Sequence, residues 1–138
     1  MNFYEFRDKD ERRLDDDLEA LAHAAIGAAI EVHRHMGCGL PEHSYRDALC
    51  HEFDLRGIPH RREVCVDITY KGRIVGKSRI DILVGGRLII EIKVVEQLTS
   101  IHRAQAISYL KITRLGLALL INFNVEVLKA GIKRVVNS

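Results

Sequence analysis

Asp81, Glu91 and Lys93 are three ionisable residues set among apolar neighbours, in segments that read as strand. Strand side chains alternate between faces, so Glu91 and Lys93 share one side while Ile90, Ile92 and Val94 take the other. Whether Asp81 joins them depends on the register of the hairpin that Gly85-Gly86 predicts. A two-residue loop would set Val84 against Arg87 and Asp81 against Ile90, leaving a carboxylate on the apolar face. A three-residue loop, Gly85-Gly86-Arg87, pairs Val84 with Leu88, Ile82 with Ile90 and Ile80 with Ile92, and brings Asp81 opposite Glu91. Two carboxylates and an ammonium then converge. Side by side, the carboxylates are costly to desolvate unless a cation compensates, and hard oxygen ligands of this kind suit Mg²⁺. The competing reading is a surface ladder, in which Lys93 pairs with a neighbouring acid for ~0–1 kcal/mol.

Other polar residues keep company with this trio. Glu42 stands near the start of a helix, and Gln105 and Tyr109 share a helix face at i and i+4. Taken singly, each is more often structural than functional. His102 is one turn from Gln105, where it could line the same cleft. The remaining histidines form neither a HExxH helix nor a Cys/His set at zinc spacing. Gly72-Arg-Ile-Val-Gly76 and Gly37-Cys-Gly39 lack the GxxxxGK[ST] spacing of a phosphate loop and read as turns.

The elements that must position these residues follow from periodicity. From Asp15 to His35, Leu18, Leu21, Ala22, Ala25, Ile26, Ala29 and Ile30 recur at three- and four-residue intervals behind a carboxylate-rich start, predicting a helix that ends at Gly37 or Gly39. Pro41 and Glu42 restart a helix with Tyr45, Leu49 and Phe53 on one stripe until Gly57. Val64 to Tyr70 alternates as a strand, Lys71-Gly72 turns, and a further strand passes through Ile74 and Val75 ahead of the Asp81 hairpin. Thr99 or Ser100 can cap a helix with Ile101, Ala104, Ile107 and Leu110 on one side and His102, Gln105 and Tyr109 on another. Leu115 to Phe123 is apolar enough for a strand covered on both faces, and Gly131 to Val136 offers one more. The order is α-α-β-β-β-α-β-(β), an α/β fold with a mixed sheet flanked by helices. Residues 1–13 are charged and without a clean period, and are expected to form a loose or partly docked arm.

Bulk properties exclude more than they identify. A chain of 138 residues and 15.7 kDa suits a single domain, residues 1–138, able to bury about two-thirds of its unfolded surface without a staple. Lys and Arg number 21 against 19 Asp and Glu, so the net charge of +2 announces no nucleic-acid binder and any basic surface must be local. The densest basic spot is His60-Arg61-Arg62. Cys38, Cys50 and Cys65 form no CxxC pair and are expected as buried thiols in a reducing cytoplasm. No apolar run reaches the ~18 residues of a membrane span, and the N-terminus is too charged for a signal peptide.

Gly39-Leu-Pro-Glu42-His-Ser-Tyr45 resembles the motif of the GxxExxY family, a group placed in the PD-(D/E)XK nuclease superfamily. The likeness continues through Ile80-Asp81, Glu91-Ile92-Lys93, Gln105-Ala-Ile-Ser-Tyr109-Leu, Leu120-Ile-Asn122-Phe-Asn124 and Gly131-Ile-Lys-Arg134-Val-Val, over roughly residues 17 to 137. It departs from the superfamily's name at Ile80, which stands where that name has Pro. The resemblance implies a restriction-endonuclease-like core in which Asp81, Glu91 and the Ile92 carbonyl ligate Mg²⁺ or Mn²⁺. Glu42 would bind a metal-held water or a second ion, and Lys93 would orient the attacking water. Gln105 and Tyr109 would steer Lys93 and the nucleic-acid backbone, whereas Tyr45 fits the core equally well. The implied activity is phosphodiester hydrolysis, in DNA ahead of RNA. The alternative is an inactive nuclease-fold module that binds nucleic acid or another protein. A homodimer is compatible with cutting both strands but nothing in the sequence asks for one.

Overall fold

Ile82 pairs with Ile90, Leu83 with Ile89 and Val84 with Leu88, so the loop that forms is the three-residue one. Gly85 and Gly86 make it possible, both in the left-handed region at φ 58° and 69°. The Arg87 N–H closes it by donating to the Val84 carbonyl at 3.1 Å. This hairpin is the middle of a computed structural model that describes the backbone of residues 9–136 and the side chains of residues 16–136. Residues 1–8, most of the expected arm, lie outside the described residues. The rest of that arm is helical, because α1 runs Lys9–Met36.

Helix α2 spans Glu42–Arg56, and the strands are β1 His60–Tyr70, β2 Arg73–Val84 and β3 Leu88–Lys93. Helix α3, Ser100–Thr113, leads to β4, Leu117–Asn122, and a 3-10 turn at Leu128–Gly131 precedes β5, Ile132–Val136. This is the element order the sequence predicts, in a five-stranded sheet ordered β1-β2-β3-β4-β5. All neighbours are antiparallel except β3 and β4, whose parallel pairing requires the crossover that α3 provides. No helix among the described residues is long and apolar enough to cross a membrane.

The sheet has a core on each face. On one, Ile82, Val84, Ile90, Ile92, Leu119 and Ile121 pack with Ala22, Ala25 and Ala29 of α1 and Tyr45, Leu49 and Phe53 of α2. On the other, Ile80, Ile89, Ala118 and Leu120 pack with Ala106, Tyr109 and Leu110 of α3. Strand β4 is buried throughout its length and β3 nearly so, as two covered faces require. Tyr45 belongs wholly to the core. Its ring stacks on Phe123 at 4.6 Å, while its hydroxyl donates to the Gly37 carbonyl at 2.7 Å and accepts the Leu40 N–H at 3.2 Å, fastening the glycine corner between α1 and α2.

Several expectations need correction. Strand β1 begins at His60, before the first alternating apolar residue. Helix α3 turns a different face inward: Ile101 is 77% exposed and Ala104 is exposed, while Ala106, Tyr109 and Leu110 are buried. Apolar spacing undervalued Tyr109, whose hydroxyl finds a partner inside and so permits burial. Of the three cysteines only Cys50 is buried; Cys38 sits in the exposed glycine corner and Cys65 on the open side of β1.

Gly131 ends the 3-10 turn directly beneath the end of β4, where an added Cβ would collide with the Asn122 carbonyl oxygen. Asn122 pairs with Lys93, so this contact stands behind the candidate site. We expect Gly131→Ala to lose about 1–3 kcal/mol of stability in urea unfolding, against little change for Gly116→Ala, whose added Cβ would meet only Leu18 Cδ2, at 3.8 Å. Equal losses from the two substitutions would mean that backbone conformation, not this close approach, decides the cost.

Candidate active site

The ladder between β2 and β3 stops at Ile82 and Ile90, because β3 leaves β2 there and continues beside β4, pairing Glu91 with Leu120, Ile92 with Ile121 and Lys93 with Asn122. In the fork, carboxylates take the place of backbone acceptors. The Asp81 N–H donates to Glu91 Oε1 at 3.2 Å, and the Ile92 N–H donates to Asp81 Oδ2 at 2.7 Å. Each acid is thus held by the other's strand. Asp81 and Glu91 do face one another, but the expected pairing of Ile80 with Ile92 does not form. Ile80 packs on the α3 side and Ile92 on the opposite one. The alternation of β2 breaks at Asp81, beside Glu63 of β1, whose φ of 51° interrupts that strand between the pairs Arg62–Ile82 and Val64–Ile80.

Glu91 is 3% exposed. Burial, and next the charge of Asp81, push its carboxyl up from 4.5 to about 8, against the opposing pull of the Asp81 N–H and the Lys93 ammonium. Two acids in contact inside a fold cannot both ionise cheaply, and a divalent cation relieves that conflict better than a proton at neutral pH. The donor set consists of hard carboxylate oxygens, which suits Mg²⁺ or Mn²⁺. Ile92, through its N–H, brings its peptide into the same fork.

Lys93 donates to Gln105 Oε1 at 3.0 Å, so its partner is a neutral amide and not the neighbouring acid that a surface ladder would give it. Gln105 Nε2 donates to Tyr109 Oη at 3.4 Å, and Tyr109 Oη lies 2.6 Å from Ser78 Oγ. Gln105 and Tyr109, one helical turn apart on α3, therefore connect the end of β3 to β2. They also border a cleft of about 450 Å³ between α3 and β1–β2, with Ile68, Lys111 and Ile112 on its walls.

Glu42 is not brought to the pair. It is exposed in the first turn of α2, where a carboxylate suits the helix dipole. Among the described residues no group of three or more His, Cys, Asp or Glu side chains stands close enough to hold one ion. His102 does not serve the cleft either: its Nδ1 accepts the Thr99 N–H at 3.0 Å and caps α3. In the basic spot, Arg62 is engaged with Asp47, and His60 lies 3.6 Å from Asp54.

Two supporting residues escape sequence reasoning. Asn122, 2% exposed, accepts the Val95 N–H at 3.1 Å and donates to the Val95 carbonyl at 2.9 Å. The Phe123 N–H donates to the Lys93 carbonyl at 3.0 Å. Together they pin the chain leaving Lys93, and a lone amide ending an apolar strand was the available signal. Ser78 had none, as one small polar residue among several on a long strand.

A family model described as the PD-(D/E)XK nuclease superfamily matches residues 19–135. No curated protein and no solved structure matches the chain.

The raised carboxyl of Glu91 makes stability depend on pH with a definite sign. Below about 4.5 the proton is bound in folded and unfolded chains alike; between there and about 8 only the folded chain keeps it. Folding is therefore weakened as pH rises through that window, and by nothing further above it. In cation-free buffer the wild type should lose more Tm between these limits than Glu91→Gln does. Parallel Tm profiles for the two proteins would refute the assignment.

Proposed function

Because the chain belongs to the PD-(D/E)XK nuclease superfamily, we propose that it hydrolyses phosphodiester bonds in DNA, ahead of RNA, with Mg²⁺ or Mn²⁺ bound at Asp81 and Glu91. The observation that carries this is the reciprocal hold of the two acids across the β2–β3 fork, with the Lys93 ammonium beside them. Its finer placement in the GxxExxY family rests on Gly39, Glu42 and Tyr45.

Asp81, Glu91 and the Ile92 carbonyl would hold the cation, which supplies charge neutralisation at the phosphate and makes water more acidic. Lys93 orients the attacking water and stabilises charge developing on the phosphate oxygens. An ammonium tied to an acid would be spent on that acid, whereas one held by the Gln105 amide keeps its charge for the substrate. Gln105 positions Lys93, and Tyr109 positions Gln105. Glu42 enters on the resemblance alone, as holder of a metal-bound water or second ion. Tyr45 has no part in the chemistry, since its ring and hydroxyl are used in the core.

One observation favours a second reading, a nuclease-fold module that binds without turnover: no third acid joins the pair among the described residues. Calorimetric titration with Mn²⁺ separates the two. We expect binding by the wild type, its loss in Asp81→Asn, and its retention in Lys93→Ala; no binding at millimolar Mn²⁺ would favour the module.

For activity, Asp81→Asn, Glu91→Gln and Lys93→Ala should each lower Mg²⁺- or Mn²⁺-dependent cleavage of a DNA panel by about a hundredfold or more, with folding verified by circular dichroism. Cleavage at wild-type rates by all three variants would overturn the assignment.

A further inference from the structure

Lys93 can only donate hydrogen bonds, whereas the Gln105 amide has a donating end and an accepting end and could face either way. The wild-type arrangement puts the oxygen toward Lys93 and the nitrogen toward Tyr109. We propose that Ser78 fixes this choice: it is a positioning residue whose hydroxyl takes the proton of Tyr109 and thereby keeps the accepting end of Gln105 turned to the ammonium.

Tyr109 is 4% exposed, so its hydroxyl proton needs a partner inside the fold. With Tyr109 Oη receiving the Gln105 N–H, its own proton points to Ser78 Oγ, 2.6 Å away. Ser78 is half-buried at the edge of the cleft, where its own proton reaches solvent. The buried Tyr109 proton then has its acceptor. Reversing Ser78 and Tyr109 would leave the tyrosine proton buried without an acceptor, which is costly.

Without the serine oxygen the Tyr109 hydroxyl keeps one side-chain partner among the described residues, the Gln105 amide, whose oxygen could take the Tyr109 proton only if the amide turned. Turning the amide to offer it would aim Nε2 at the Lys93 ammonium, donor against donor. Either Lys93 moves or the amide becomes disordered. Ser78 sits on β2 three positions before Asp81 and pairs with Val66 of β1. The strand that carries one acid of the pair therefore also sets the polarity of the contacts that reach the lysine.

The kinetic side of this inference rests on the nuclease reading, so the test has an arm that needs no turnover. In the intact chain, without cation or nucleic acid, the Gln105 side-chain amide protons should show NOEs to the Tyr109 ring. In Ser78→Ala those cross-peaks should fall by half or more while those to the Lys93 methylene beside Nζ grow, and Ser78→Thr should restore the wild-type pattern. An unchanged pattern in a folded Ser78→Ala overturns the inference. Should that variant not fold, Ser78→Val serves instead: it removes the same oxygen with a side chain that favours a strand, and a retained orientation again overturns the inference. In cleavage assays, Ser78→Ala should lower kcat by roughly ten- to a hundredfold at unchanged KM, with rescue by Ser78→Thr. A rise in KM alone would count against positioning. NOE changes as expected in a protein that cleaves no nucleic acid would uphold the role of Ser78 and defeat the nuclease reading.

Discussion

The departure of β3 from β2 is the constraint on which the rest of the site depends. A strand in the interior of a sheet normally spends its backbone groups on two neighbours. Where β3 turns to accompany β4, the peptides of Asp81 and Ile92 lose that company, and the two carboxylates supply the acceptors instead. The acids are thus part of the sheet's hydrogen bonding as well as candidates for chemistry. Their burial follows from the same geometry, and burial is what makes one of them reluctant to ionise.

Around that fork the fold divides its labour between two faces. Helices α1 and α2 cover one side with alanines and aromatics, and Arg46 of α2 reaches Glu63, beside the fork, at 3.3 Å. Helix α3 covers the other and brings Gln105 and Tyr109 to Lys93. The parallel crossover explains why a single helix can do so, since it must leave from the end of β3 and return along the sheet to begin β4. Asn122 then closes the circuit by binding the segment that departs from Lys93.

The hairpin register was legible in the sequence because the parity of a strand and the length of a glycine loop leave few alternatives, and only one kept Asp81 off the apolar face. Tertiary contacts decided what was not legible. The inward face of α3 depended on a tyrosine hydroxyl finding Ser78, a residue on another element. The side taken by Ile80 depended on a backbone irregularity at Glu63, which no apolar pattern marks. Glu42 stands in the first turn of its helix as expected, and among the described residues it forms no three-acid group with the strand pair.

Glu63 has a consequence for the behaviour of the molecule in solution. Strand β1 forms one border of the sheet and, at eleven residues, is long enough to recruit a strand from another molecule. A left-handed residue within it tilts the peptides on either side out of a common line, so an incoming strand meets a broken row of donors and acceptors. The irregularity that accompanies Asp81 thereby also guards the open border against self-association into extended sheets.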